Sequence, residues 1–495
     1  MRIFIAIILL SISGISLAQN TNEFIGRSFW QTSPNVQAVK EKIEEGNDPV
    51  KLNEYGFDAT VYAILENAPF ETIKYLVSLE GNEVNKATHD GRNYLMWAAY
   101  KGNVELMKYL LEKGSVTDII DDHGHNLITF AAAGGQQNPE VYDLILENGV
   151  KVTDTNRDGA NALLVLTPSI TDMSIIDYFQ KKGLDIQSKD NDGNGMFNYA
   201  AIKGNIELMK KLIDMGVDYK GENKEGGNAM IFASYGSRGS SNPLEVFEYL
   251  DGLGIQANVT TTHGETPLHN LAYSNKDPKV FEFIVEKGVD INQANEEGNT
   301  LLLNAINGEN EEIAQIYIPK VADINHQNED GYSALTYAVI RHQDALIPVL
   351  LEAGANADVV DSEGNNLVFY AFDSFDEKEK ASFESTMKML KKEGVSMDPV
   401  QDNGNSLLQV ATEKGEVFLI EQALNMGADI NAKNREGLTV LHLAAMKAEN
   451  EKVLEYLLEN GADKSILTDF DESAFDLANE NEILAKSGVN LDFLK

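Results

Sequence analysis

The chain contains no cysteine in its 495 residues. That absence excludes a disulfide framework, a thiol nucleophile, cysteine-ligated zinc and a cysteine-linked lipid. Basic residues are also scarce, with Lys+Arg 40 against Asp+Glu 78. Nucleic acid is therefore not an expected partner, because phosphate binding needs a basic face. A long apolar run is missing beyond the first residues, so no membrane insertion is expected of the processed chain. The sequence has no H-E-x-x-H, no G-x-S-x-G and no G-x-x-x-x-G-K-[ST]. The motif-borne forms of metal hydrolysis, serine hydrolysis and phosphate cradling thus find no support.

What is present begins with an address. Met1 and Arg2 precede the apolar run Ile3–Leu10, and Ser16-Leu17-Ala18 offers small residues for cleavage. This reads as a signal peptide over residues 1–18, which implies export to the periplasm or the exterior. Residues 19–33 read as a flexible segment. Charged residues at 24% and hydrophobic residues at 43% are a globular balance, so folded structure is expected from there on. The formal net charge of −38 favours solubility and basic partners.

The dominant feature is a repeat. A short polar run ending in glycine recurs at Gly91, Gly124, Gly159, Gly193, Gly226, Gly264, Gly298, Gly331, Gly364, Gly404 and Gly437, with weaker copies at Gly56 and Asp471. Successive turns lie 33 to 40 residues apart, and most lie within 33 to 35. Four positions after the glycine stands an apolar residue, such as Leu95, Leu268 or Leu441. Seven after it stands alanine in most units, as at Ala98, Ala131, Ala305 and Ala444. A small residue there lets neighbouring inner helices approach closely. A second amphipathic helix follows, as in Val104–Leu111, and ends at a glycine such as Gly114 or Gly427, which suits a left-handed cap.

Thr266-Pro267-Leu268-His269 and Thr439-Val440-Leu441-His442-Leu443-Ala444, with endings such as Gly427-Ala428-Asp429, carry a family resemblance. The units resemble ankyrin repeats, whose period is near 33 residues. The resemblance covers about residues 34–490 and implies an exported, bacterial-type member of that family. Its implied fold is an all-α repeat solenoid of about thirteen ankyrin repeats with hairpin-like turns, a curved open array without a closed core. The array spans 34–495, with an N-terminal cap at 34–50 and a degenerate last repeat at 465–495. In that pattern His269 and His442 brace neighbouring turns through backbone hydrogen bonds. Matches such as Gly102–Lys108 with Gly204–Lys210 point to a duplicated block of three repeats. Its inserts, such as Gly236–Asn242 and Asp373–Lys380, are expected along one edge.

Three sites of possible chemistry reduce to turns. Asp190-Asn191-Asp192-Gly193-Asn194-Gly195 imitates the start of a calcium loop, but Ala201 stands where the bidentate glutamate belongs. His123 and His125 lack a third nearby histidine. No metal, cofactor or catalytic residue is expected.

The resemblance implies partner contacts from turn tips and inner-helix ends. Nine positions after the turn glycine, the expected palm row includes Tyr100, Ile202, Tyr235, Tyr273, Ile340 and Met446. Tyrosine suits such a surface because it buries much area at low entropic cost. The tips are acidic: Asp122, Asp192, Glu296, Glu297, Glu329, Asp330, Glu363, Asp402 and Glu436. Together they predict a non-catalytic scaffold for a protein with a basic segment, acting as a monomer. The alternatives are a secreted effector or inhibitor of a foreign protein, and an enzyme with an active site between repeats.

Overall fold

The fold is that of a computed structural model describing residues 22–237, 239–397, 399–401 and 404–495. The expected signal peptide and the tip residue Asp402 lie outside the described residues. Among those residues are 28 α-helices and no extended strand, only isolated bridges. The chain forms two compact units, one ending at Lys224 and one running from Glu225 to Lys495.

The first unit has a single cap helix, Val36–Glu44, and then five helix pairs, from Ala59–Leu65 with Phe70–Val77 to Met196–Ile202 with Ile206–Asp214. The second has eight pairs, from Ala229–Tyr235 with Leu244–Gly252 to Ala474–Glu480 with Glu482–Ser487. Within each unit the inner helices of successive repeats pack on one another. The alanines Ala98, Ala131, Ala305 and Ala338 sit fully buried at those crossings. Larger side chains there would force the helices apart in a close-packed interior.

Inner helices start where their sequence places a capping side chain, except Met196–Ile202, whose N-cap is Gly195. Asp58, Asn93, Asn126, Asn161, Asn228, Thr300 and Asn366 accept from backbone N–H groups of the first turn, satisfying donors that the helix cannot satisfy itself. Each turn is closed by the residue that opens it. The carboxylate of Asp190 accepts from the amides of Asp192 at 3.0 Å and Asn194 at 2.8 Å, and from the Tyr199 hydroxyl at 2.9 Å. The calcium-like segment is therefore a hydrogen-bonded turn whose leading carboxylate is already occupied.

From Gly56 to Glu329, successive turns are each tied to the next by one backbone hydrogen bond. In the first unit Asp122 N–H donates to Asp90 O at 3.0 Å and Asn191 N–H to Asp158 O at 2.8 Å. In the second, Glu296 N–H donates to His263 O at 2.8 Å and Glu329 N–H to Glu297 O at 2.9 Å. Gly264 shows why glycine is needed: its φ is +77°, and a Cβ would stand 2.9 Å from the Asn295 Cα. These rungs fix the spacing of the tips.

Residues 22–33 correct the expected flexible segment. They fold as a short 3-10 turn, Glu23–Ile25, and a helix, Arg27–Gln31. Phe24 and Trp30 are fully buried, and the indole N–H of Trp30 donates to Phe24 O at 2.9 Å. Two large rings bury enough apolar surface to order a short segment against the ordering entropy. The segment extends the N-terminal cap.

The inserts lie between the inner and outer helices of their repeats. One holds a bridge between Ser237 and Ser240, and another a 3-10 turn at Glu377–Glu379.

Candidate functional site

The tips of the second unit carry exposed Glu296, Glu297, Glu329, Asp330, Glu363 and Glu436. Among the described residues no Lys or Arg pairs with any of them. Beside this row stands His263, whose imidazole lies 2.7 Å from Glu296 and 3.6 Å from Glu225. The hydrogen bond its ring donates to Glu296, then that carboxylate's charge, raises the histidine's pKa above the ordinary value. In the first unit, Asp122 and Asp192 are likewise exposed.

The palm row is more mixed than its composition implies. Tyr235, Tyr273 and Met446 stand out, at 49%, 45% and 47% exposure, whereas Tyr100, Ile202 and Ile340 are half-buried. The Tyr100 ring stacks on Phe130 of the next repeat at 5.1 Å between centroids, so it serves the stack as well as the surface. Tyr273 donates its hydroxyl to Asn304 at 3.1 Å and keeps an open face. The second unit thus places Tyr273, Ile340 and five carboxylates on successive repeats.

In several repeats of this unit the residue after the turn glycine relays a side-chain bond to the next turn. Asn299 accepts from Asn328 at 3.0 Å, Asn365 from Gln401 at 3.0 Å and Asn405 from Asn434 at 2.8 Å. At Tyr332 the relay is replaced by an aromatic ring. Where the slot five after the glycine holds His or Gln, it braces the following repeat. His269 donates to Asn299 O and Gln409 donates to Leu438 O. In the three repeats between them that slot holds Leu303, Thr336 and Phe369, and Phe369 has no polar atom to offer and is half-buried.

These two replacements border a cavity of about 260 Å³. The rings of Tyr332 and Phe369 each stand edge-on to Tyr370, at 5.3 and 5.2 Å. Asp330, Asp361, Glu363 and Asp373 complete the lining, which contains no Lys, Arg or His. Asp361 is committed to the turn, accepting from the amides of Glu363 and Asn365 and from the Tyr370 hydroxyl. Burial opposes its ionisation, but the Tyr370, Asn365 and backbone hydrogen bonds outweigh that, so its pKa is lowered. Burial, then the bond to Asp361, keeps Tyr370 protonated. Asp330, Glu363 and Asp373 are exposed at the rim. Of this cavity the sequence reading contained Asp330, Glu363 and Asp373. It missed Tyr332 and Phe369, whose signal was an aromatic residue one or five after a turn glycine, found nowhere else in this unit.

The His269 slot behaves as expected. Its Nδ1 accepts from Thr266 N–H at 3.0 Å, and its Nε2 donates across to Asn299 O at 3.0 Å. His442 does the same with Thr439 and Ile466. His123 pairs with Asp90 at 3.1 Å. Among the described residues no group of three His, Cys, Asp or Glu is placed to hold a metal ion.

Family comparison matches a model of three ankyrin repeats at residues 33–156 and 378–468, and a single-repeat model at 263–296. The chain belongs to the ankyrin-repeat family. This ankyrin-repeat chain is 24% identical over 443 residues to the human transient receptor potential cation channel subfamily A member 1, covering 85% of its own length and 35% of the channel's. It is 24% identical over 344 residues to the phosphocholine transferase AnkX of Legionella pneumophila, covering 66% of itself and 30% of that enzyme. It is 25% identical over 210 residues to the palmitoyltransferase AKR1 of Lachancea kluyveri, covering 40% and 27%. The chain thus spans about a third or less of these relatives' lengths. Among its described residues no helix is long and apolar enough to cross a membrane.

Proposed function

We propose that this ankyrin-repeat chain is a non-catalytic scaffold that binds a protein through the turn tips and inner-helix ends of its second unit. The observation that carries this reading is the row Glu296, Glu297, Glu329, Asp330 and Glu363, exposed and without Lys or Arg partners among the described residues, beside the open face of Tyr273. Unpaired surface carboxylates gain little for folding and repel one another. Facing a basic, partly apolar segment, they speed encounter and fix register. The apolar Met1–Ala18 stretch supports export, which puts the partner outside the cytoplasm. The enzymatic and channel activities named in the relatives belong to proteins of which this chain covers the smaller part.

The test is affinity capture by purified wild-type chain and by a variant with Glu296, Glu297, Glu329 and Asp330 all changed to Lys. The reading expects a protein captured by the wild type, released by raised salt, and lost by the variant at unchanged melting temperature. Equal capture by both chains contradicts it.

A further inference from the structure

We propose that the cavity between Tyr332 and Phe369 receives one arginine side chain of the partner, its guanidinium lying on the aromatic faces and hydrogen-bonded to the rim carboxylates. This deepens the scaffold reading and rests on it for its biological role, though not for its chemistry.

What sets this place apart is a pair of rings. In the second unit the slots one and five after a turn glycine hold polar groups in some repeats, such as Asn299, Asn405, His269 and Gln409, and small or aliphatic ones in others, such as Gly227, Leu303 and Leu438. Only Tyr332 and Phe369 put aromatic rings there. Tyr332 and Phe369 face a cavity of about 260 Å³, large enough for the end of a side chain.

The walls select by charge and shape. Three rings lie edge-to-face, Tyr332 with Tyr370 at 82° and Phe369 with Tyr370 at 76°. They present π-faces in different directions, which attract a cation and exclude an anion. Asp330, Glu363 and Asp373 ring the mouth with no cation of the chain among the lining residues. A metal ion does not fit, because no three of these carboxylates are placed to hold one. A planar guanidinium satisfies both features at once: its face stacks on a ring while its in-plane N–H groups reach carboxylates. An ammonium satisfies only one at a time.

The experiment is a titration of the full deuterated, 15N-labelled chain, read at the backbone amides of Asp330–Tyr332, Glu363–Asn365 and Phe369–Asp373. The probes are N-acetyl-arginine methylamide, N-acetyl-lysine methylamide with its side-chain amine free, N-acetyl-citrulline methylamide as the neutral isostere, and calcium chloride. The proposal expects saturable shifts of these amides with the arginine probe, weaker shifts with lysine, and about tenfold weaker binding of citrulline. Tyr332→Leu with Phe369→Leu should weaken the arginine probe about fivefold at unchanged melting temperature. If that pair lowers the melting temperature, Asp373→Asn, an exposed change, should still weaken it about twofold. Citrulline binding as well as arginine, calcium saturating the same amides more tightly, or arginine shifting other tips but not these amides would each overturn the proposal. If capture of a protein fails while the arginine probe still titrates the cavity, the scaffold reading falls and the site stands. If capture succeeds while the cavity stays silent, the site falls and the scaffold reading stands.

Discussion

Gln409 makes in its repeat the two hydrogen bonds that His269 makes in its own. Its Oε1 accepts from Ser406 N–H at 2.7 Å and its Nε2 donates to Leu438 O at 3.2 Å. His269 accepts from Thr266 N–H and donates to Asn299 O, both at 3.0 Å. One chain thus holds two chemical solutions to the same bracing task, and one of them does not titrate.

His269→Gln should therefore keep stability within about 0.5 kcal/mol at pH 7.5, whereas His269→Leu should cost about 2 kcal/mol by orphaning a donor and an acceptor. The pH dependence separates them further. Burial lowers the pKa of His269 and of His442 below the ordinary value, because each must stay neutral to accept at Nδ1. The unfolded chain then binds protons first as pH falls below about 6.5, so these residues erode stability in that window and not above it. His263 acts in the opposite sense: its contribution is present below about 6.5 and fades as pH rises through its raised folded value. A His269→Gln, His442→Gln double variant should show a shallower loss of melting temperature between pH 7.5 and 5.5 than the wild type, with His263 common to both.

The first unit contains a buried ion pair whose removal should be felt. Arg92 donates from Nε to Asp121 at 2.7 Å, pairs with Asp90 at 3.0 Å and lies 4.3 Å over the Phe130 ring. Arg92→Met leaves the fully buried Asp121 carboxylate without its cation. We expect a loss of about 3 kcal/mol, read from urea unfolding followed by Trp97 fluorescence in a Trp30→Phe background.

At the other end of that unit, Trp30→Ala should uncouple residues 22–33 from the first repeat. Removing so large a buried ring costs about 3 to 5 kcal/mol where the segment and cap fold together. Amide hydrogen exchange should speed up in residues 22–45 and remain unchanged beyond the helix Tyr94–Lys101, because repeats contact only their neighbours.

Two glycines separate backbone strain from crowding. Gly114 has φ +88° and open space around a Cβ, and Gly264 has φ +77° with a Cβ position 2.9 Å from the Asn295 Cα. Gly114→Ala should cost about 1 kcal/mol. Gly264→Ala adds a clash with fixed backbone of the next turn, and should cost about 3 kcal/mol or shift the rung between His263 and Glu296. Melting temperatures of the two variants make the comparison.

The repeat was legible because its signals are local and recur: a glycine that must adopt positive φ, an apolar residue four later and, in most units, an alanine seven later mark the inner helices. The histidine braces followed from the Thr-Pro-Leu-His slot. Phe24 and Trp30 were not legible as a cap, because nothing in their own neighbourhood repeats and their burial depends on the surface they cover. Tyr100 read as a contact residue, yet its ring lies on Phe130, a packing choice that spacing alone does not reveal. Tyr332 and Phe369 were hidden for a related reason. Each looks like an ordinary aromatic until the fold brings both rings edge-on to Tyr370 at one cavity.

The account's central claim is tested most directly by deuterium exchange of the chain alone and bound to the protein it captures. It predicts slowed exchange at the turns around His263–Gly264, Glu296–Gly298, Glu329–Gly331 and Glu363–Gly364 and at the C-terminal ends of the inner helices Pro267–Ser274 and Ala334–Ile340. Protection confined to the outer helices Pro278–Glu286, Glu311–Tyr317 and Leu346–Glu352, with the turns exchanging as in the free chain, would contradict it.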